Sequence, residues 1–174
     1  MPKFDEVPVG RSAISSIDGR LMVKAPIDGR VVSLDRVPDQ VFASGMLGSG
    51  IGIIPDEAHQ GPALVRSPAS GTVAVAFRTG HGYAIKADNG VEVLLHIGVD
   101  TVSMKGEGFE ALVKAGDIIG VGEPLASVDF AEIIGAGLDP TVITLITNTR
   151  DLTSVIPVST ERVVAGETIM TVRP

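Results

Sequence analysis

The chain has no cysteine, no tryptophan, one tyrosine and five phenylalanines. Without cysteine there can be no disulfide, no thiolate nucleophile and no sulfur-ligated metal. With aromatics at 3% of residues, Val, Ile, Leu and Ala must fill the core. No apolar run approaches the roughly 20 residues of a membrane span. The opening "MPKFDEVPVGRSAISSIDGR" lacks a basic segment followed by an apolar one, so no signal peptide is expected. Positive charge is also scarce: 14 Lys and Arg stand against 21 Asp and Glu, for a net charge of −7. That balance disfavours nucleic acid and insertion into, or binding to, anionic membranes, both of which call for basic patches. It leaves open a protein partner with a basic face. A soluble, cytoplasmic protein is expected.

What is present suits one domain with a sizeable core, built over 174 residues. Twenty-one glycines and eleven prolines punctuate short β-branched runs. The pattern predicts an all-β fold, an antiparallel sandwich or partly open barrel with at most short helical turns. Residues 1–20 read as a flexible arm and 21–174 as a single domain. Two internal similarities suggest strand–turn–strand repeats. "VKAPIDGRVVSL" (23–34) and "VRSPASGTVAVA" (65–76) share basic-x-Pro-x-x-Gly-x-Val. "VKAGDIIGVGEPLASV" (113–128) and "VVAGETIMTV" (163–172) share Val-x-Ala-Gly-acid-x-Ile. A helical turn is expected near 129–137 and a buried strand within 140–149. No alternation of strands with long amphipathic helices supports a doubly wound α/β fold.

"GSGIGI" (48–53) looks like a phosphate loop but lacks Gly-Lys-Ser/Thr. It reads as a bulged strand entry. "KAGD" and "EPLASV" are similar to hairpins of biotinyl and lipoyl carriers, yet Lys105 in "VSMKGEG" has no symmetric strand halves around it and reads as a solvated loop. The histidines say more. His59, in "PDEAHQGP", reads as exposed loop. His81 lies between two glycines in "FRTGHGYAI". His96 lies inside the apolar run "GVEVLLHIGVDTV" (90–102). The Asp88-Asn89-Gly90 turn folds 82–87 against 91–96 and brings His81 close to His96. Which face each ring takes stays open, because a one-residue slip exchanges faces. Two close imidazoles could sit in a metal site lacking a third ligand, act in acid–base catalysis, attack phosphorus as nucleophile and stabiliser, or be ordinary core.

The run 90–102 resembles the active-site pattern of the enzyme IIA domain of the glucose/sucrose family of the bacterial phosphoenolpyruvate-dependent sugar phosphotransferase system. "KGEGF" (105–109), "PIDGRVVSLDRVPDQVFASGMLGSGIGI" (26–53), "SPASGTV" and "GETI" resemble it too, so the likeness spans roughly residues 20–173. It implies a phosphocarrier: phospho-HPr donates to His96, which passes the group to a cysteine on the IIB domain of a sugar permease. His81 would stabilise the phosphoryl group and Thr79 would orient His81. Val41, Phe42, Met46, Leu47, Phe77, Tyr83, Leu94 and Val102 would form an apolar docking ring, with Asp39 and Asp100 meeting partner arginines. No cofactor or intrinsic metal is implied. In some relatives a zinc ion is shared with a partner carboxylate, which here would use His81 and His96.

The chain departs from the family in places. Gly80 and Gly82 flank His81 where Asn and Ala are frequent, which predicts a looser loop. Leu94 stands where Phe is common, and "DEAHQG" is insertion-like. A stand-alone monomeric carrier is expected. The alternatives are a regulatory module of the same fold, acting on transporters or metabolic enzymes according to phosphorylation state, and a zinc hydrolase of the lysostaphin-like kind, which the missing His-x-His argues against.

Overall fold

A computed structural model describes residues 16–17, 19–56 and 61–174. Residues 1–15 and 18, and residues 57–60, which include His59, therefore lie outside the described residues. The described strands are β1 (Ser16–Ile17), β2 (Arg20–Lys24), β3 (Gly29–Ser33), β4 (Ser49–Pro55), β5 (Pro62–Arg66), β6 (Gly71–Ala76), β7 (Gly82–Ala87), β8 (Glu92–Ile97), β9 (Phe109–Ala111), β10 (Ile118–Ile119), β11 (Pro124–Asp129), β12 (Val142–Ile146), β13 (Ser154–Pro157), β14 (Arg162–Val163) and β15 (Thr168–Arg173). Two short α-helices interrupt them, α1 (Gln40–Ala43) and α2 (Phe130–Gly135). The helical turn near 129–137 and the buried strand within 140–149 are both where the sequence put them.

The strands form three sheets, ordered β1-β2-β15-β13, β10-β6-β7-β8-β12-β4-β3-β14 and β5-β11-β9. Neighbouring strands in these sheets run antiparallel, and the eight-stranded sheet is open, ending on β10 and β14. This is a sandwich and not a closed barrel. Ser16 and Ile17 pair with Leu21 and Arg20, so the sheet begins before the predicted boundary at residue 21.

The proline turns of the first repeat lie back to back. Lys24 N donates to Pro68 O, and Arg66 N donates to Pro26 O, both at 2.9 Å. The second repeat takes a different register from the one its sequence similarity predicts. Glu167 O receives Ala25 N at 2.7 Å, and Glu123 O receives Ser67 N at 2.8 Å. Val163 pairs with Gly29 and Ile119 with Gly71. Within 113–128 and 163–172 the equivalent stretches are therefore 119–128 and 163–172, and the shared Val-x-Ala-Gly-acid-x-Ile letters do not fall at equivalent places. Each of β11 and β15 also shifts register after its first residue.

"GSGIGI" is a strand, as expected, but β4 runs without a register shift against either neighbour. Its glycines answer a different need. A Cβ on Gly50 would run into the Thr144 carbonyl oxygen and stand 2.8 Å from Leu145 Cα.

The main core joins Val23, Ile53, Val65, Ile85, Leu95, Leu125 and Ile169 from all three sheets. Burying each such side chain contributes about 1.5–3 kcal/mol. A second cluster, Val37, Phe42, Val99, Ile143 and Leu145, with Leu34 and Leu94 packed against it, lies apart from it. It is covered by the segment that carries α1.

Candidate functional site

The site is built on β7, β8 and the loop before β7. The Asn89-Gly90 turn closes with Gly90 N donating to Ala87 O at 3.0 Å and Ala87 N to Val91 O at 2.9 Å, with Gly90 at φ +88°. Its register sets Gly82 opposite His96 and Tyr83 opposite Leu95. Side chains alternate across a strand. Val93, Leu95 and Ile97 therefore enter the main core. His96 shares the other face with Leu94 and stands across from Ile143. Both faces of β8 are covered, which explains an imidazole inside so apolar a run.

His81 ends up beside His96. The ring centroids are 5.1 Å apart and nearly edge-to-face at 78°. Each ring also meets a phenylalanine: Phe42 lies 5.0 Å from His96 and Phe77 lies 5.1 Å from His81. Phe109 stands edge-on to His81 at 6.4 Å. The loop is not loose despite its glycines. Phe77 N donates to Gly82 O at 2.9 Å and Gly80 N to Phe77 O at 2.8 Å.

The hydrogen bonds assign proton positions. His96 Nδ1 is 2.7 Å from Gly98 O. A carbonyl can only accept, so Nδ1 carries the hydrogen and Nε2 keeps its lone pair. Gly98 has φ +76°, and a Cβ there would collide with Thr101. Thr101, buried, donates to Ile97 O at 2.5 Å. These two residues fix the turn that presents the carbonyl. His81 Nδ1 faces Thr79 Oγ1 at 2.5 Å.

Both rings favour the neutral form. Burial, and then repulsion from His96, lowers the His81 pKa from 6.5 to about 4. Burial also lowers that of His96, opposed by its bond to Gly98 and by the carboxylates of Asp39 and Asp100. Asp39 has a second task as N-cap of α1, where its Oδ1 accepts from Val41 N at 2.8 Å and Phe42 N at 3.3 Å. Asp100 takes a left-handed conformation, φ 58°, which Asp tolerates better than most residues.

Val41, Met46, Leu47, Phe77 and Val102 are exposed large hydrophobics, and of these Phe77 meets a histidine ring. Leu94 is half-buried. Phe42 is only 7% exposed and forms a wall against His96 rather than an outer rim. Tyr83 is a correction. It is fully buried, because the β7–β8 register turns it with Leu95 into the main core, so it cannot belong to a docking ring. Lys105 is exposed in a turn, as its sequence context predicted. Among the described residues no group of three His, Asp or Glu is arranged to hold a metal ion, and no helix is long and apolar enough to cross a membrane.

Sequence reasoning did not single out Gly98, whose carbonyl sets the His96 tautomer, or Phe109 beside His81. A glycine two residues after a histidine in a strand-ending turn was the available signal for the first.

Residues 21–152 match the family model described as phosphoenolpyruvate-dependent sugar phosphotransferase system, EIIA 1. The chain is 40% identical over 147 residues to the glucose-specific EIIA component of Oceanobacillus iheyensis, covering 84% of this chain and 86% of that protein. It is 39% identical over 148 residues to the beta-glucoside-specific EIIBCA component of Bacillus subtilis, covering 84% of this chain but 24% of that longer protein. The glucose permease IIA of Mycoplasma capricolum has a similar structure, with TM-score 0.74 and 34% identity over 87% of this chain and 95% of that one.

Proposed function

We propose, from the premise that this chain belongs to the EIIA 1 family of the phosphoenolpyruvate-dependent sugar phosphotransferase system, that it is a cytoplasmic phosphocarrier whose acceptor atom is Nε2 of His96. The observation that carries this reading is the His96 Nδ1 to Gly98 O bond, which leaves Nε2 as the free nucleophile beside a second imidazole.

In the forward step the Nε2 lone pair attacks phosphorus in the phosphohistidine of HPr. The donor P–N bond breaks and its electron pair returns to the HPr imidazole. With Nδ1–H retained, the phosphorylated His96 ring becomes cationic. The Gly98 carbonyl and the fields of Asp39 and Asp100 favour that charge. In the second step a cysteine thiolate of a IIB domain attacks phosphorus, and His96 leaves with its electron pair. His81 serves the transferring oxygens. Being neutral at pH 7, it can donate from Nε2 only if its Nδ1 accepts, which requires the Thr79 hydroxyl to donate to it. Phosphoryl transfer asks mainly for this kind of positioning and electrostatic help.

The exposed Val41, Met46, Leu47, Phe77 and Val102 form the apolar contact surface, and Asp39 and Asp100 meet a basic rim on the partner. The sugar is set by the permease that the carrier serves. Incubation with labelled phosphoenolpyruvate, enzyme I and HPr tests the assignment. Wild type should acquire an acid-labile phosphoryl group, His96→Ala should acquire none, and His81→Gln should accept the group but pass it on slowly. Labelling of His96→Ala at the wild-type level would sink the proposal.

A further inference from the structure

Gly82 stands directly across from His96 in the β7–β8 ladder, on the face that carries the imidazole. A side chain there would rise beside His96. Its place is taken by the Phe77 ring: a Cβ on Gly82 would collide with Phe77 Cδ2 and stand 2.5 Å from Cε2. The three atoms nearest such a Cβ all belong to Phe77, so no backbone obstructs it. From this seat the Phe77 ring meets His81 at 5.1 Å, while Thr79 holds His81 at Nδ1. The Phe77 backbone also closes the loop, its carbonyl accepting from Gly80 N and its N–H donating to Gly82 O.

We infer that Phe77 and Gly82 act as a positioning pair for His81, the missing Cβ letting the aromatic ring lie on the strand and fix the plane of the imidazole. The inference rests on the phosphotransfer reading for its consequence in catalysis, but not for its geometry. Phe77 then does more than contribute apolar docking surface. It supplies one wall of the slot in which His81 keeps its hydrogen-bond donor aimed at the space beside His96. Alanine at 82 would drive the ring off by roughly an ångström to reach ordinary van der Waals separation, so this chain couples its glycine to its phenylalanine.

The test is a double-mutant cycle of Gly82→Ala and Phe77→Leu, read by nuclear magnetic resonance of histidine-labelled protein and by transfer kinetics. Gly82→Ala should remove the Phe77 ring-current shift from the His81 ring protons and move the His81 titration midpoint toward 6.5. It should lower the maximal rate of transfer from phosphorylated carrier to IIB by about tenfold, a modest cost for a misplaced group. Phe77→Leu should perturb the same His81 signals, and the double variant should lose no more transfer rate than the worse single variant. Unchanged His81 resonances in Gly82→Ala, or losses that add, would overturn the inference. Failure of wild type to label on His96 would instead defeat the phosphotransfer reading, and the resonance experiment would still decide the geometry.

Discussion

Lowering the pH should destabilise this fold through His81 more than through any ordinary surface histidine. In the unfolded chain His81 titrates near its usual 6.5, and in the folded protein near 4. Between those values the unfolded state binds the extra proton, so stability falls as pH falls. The slope from this group approaches about 1.4 kcal/mol per pH unit near pH 5. From pH 7 to pH 4 the loss amounts to about 3 kcal/mol, and it is nearly complete once the pH passes below the folded value. The ring is only 5% exposed, so solvent does little to screen the effect. Carboxylates also titrate in this window, and for that reason the measurement is a difference. Urea unfolding of wild type and His81→Gln at pH 7, 6, 5 and 4 should show wild type losing about 3 kcal/mol more than the variant across the range. Parallel stability profiles, or a His81 resonance titrating near 6.5, would refute the burial argument.

Two further outcomes follow from other parts of the structure. Asn caps a helix as well as Asp does, so Asp39→Asn should keep wild-type stability while Asp39→Ala loses about 1 kcal/mol. Both should raise the KM for phospho-HPr and flatten its salt dependence; equal destabilisation in urea would show that the cap to Val41 and Phe42 is not the stabilising contact. Gly50→Ala places a Cβ against the backbone of β12, which cannot yield as a side chain would, and should cost about 3 kcal/mol. An unchanged melting temperature by circular dichroism would contradict that close approach.

How far the sequence could be read depended on whether a local signal set the outcome. The Asn89-Gly90 turn is local, and it alone brought His81 to His96. The same turn, taken to its register, places Gly82 across from His96 and Tyr83 across from Leu95. Tyr83 was carried to the docking ring by resemblance, and the register that pairs it with Leu95 turns it inward. The second repeat failed differently. "VKAGDII" and "VVAGETI" are the better match in letters, but the partners on Ala25 and Ser67 select Gly166-Glu167 and Gly122-Glu123. Those pairs are 44 residues apart, close to the 42 that separate Pro26 from Pro68, whereas the sequence match spans 50. Consistency between the two spacings was the usable signal. The Phe42 wall had no local signal, because it depends on where α1 rests on the outer face of the large sheet.

The electrostatics of the site also bear on what kind of phosphoryl acceptor it can be. Two neutral imidazoles face each other, and two carboxylates, Asp39 and Asp100, act on His96. A site meant to keep a phosphoryl group would surround it with fixed cations, as Arg and Lys clusters do. Here the carboxylates favour a cationic His96 ring and, on the proposed reading, would repel a dianionic group attached to it. On the proposed reading, loss of the group would remove both the ring charge and that repulsion, and a basic partner rim would neutralise the carboxylates only while docked. Residues proposed to draw a donor in would thus leave the phosphorylated ring without a strong hold on its cargo, the balance that the proposed acceptance from one protein and delivery to another requires.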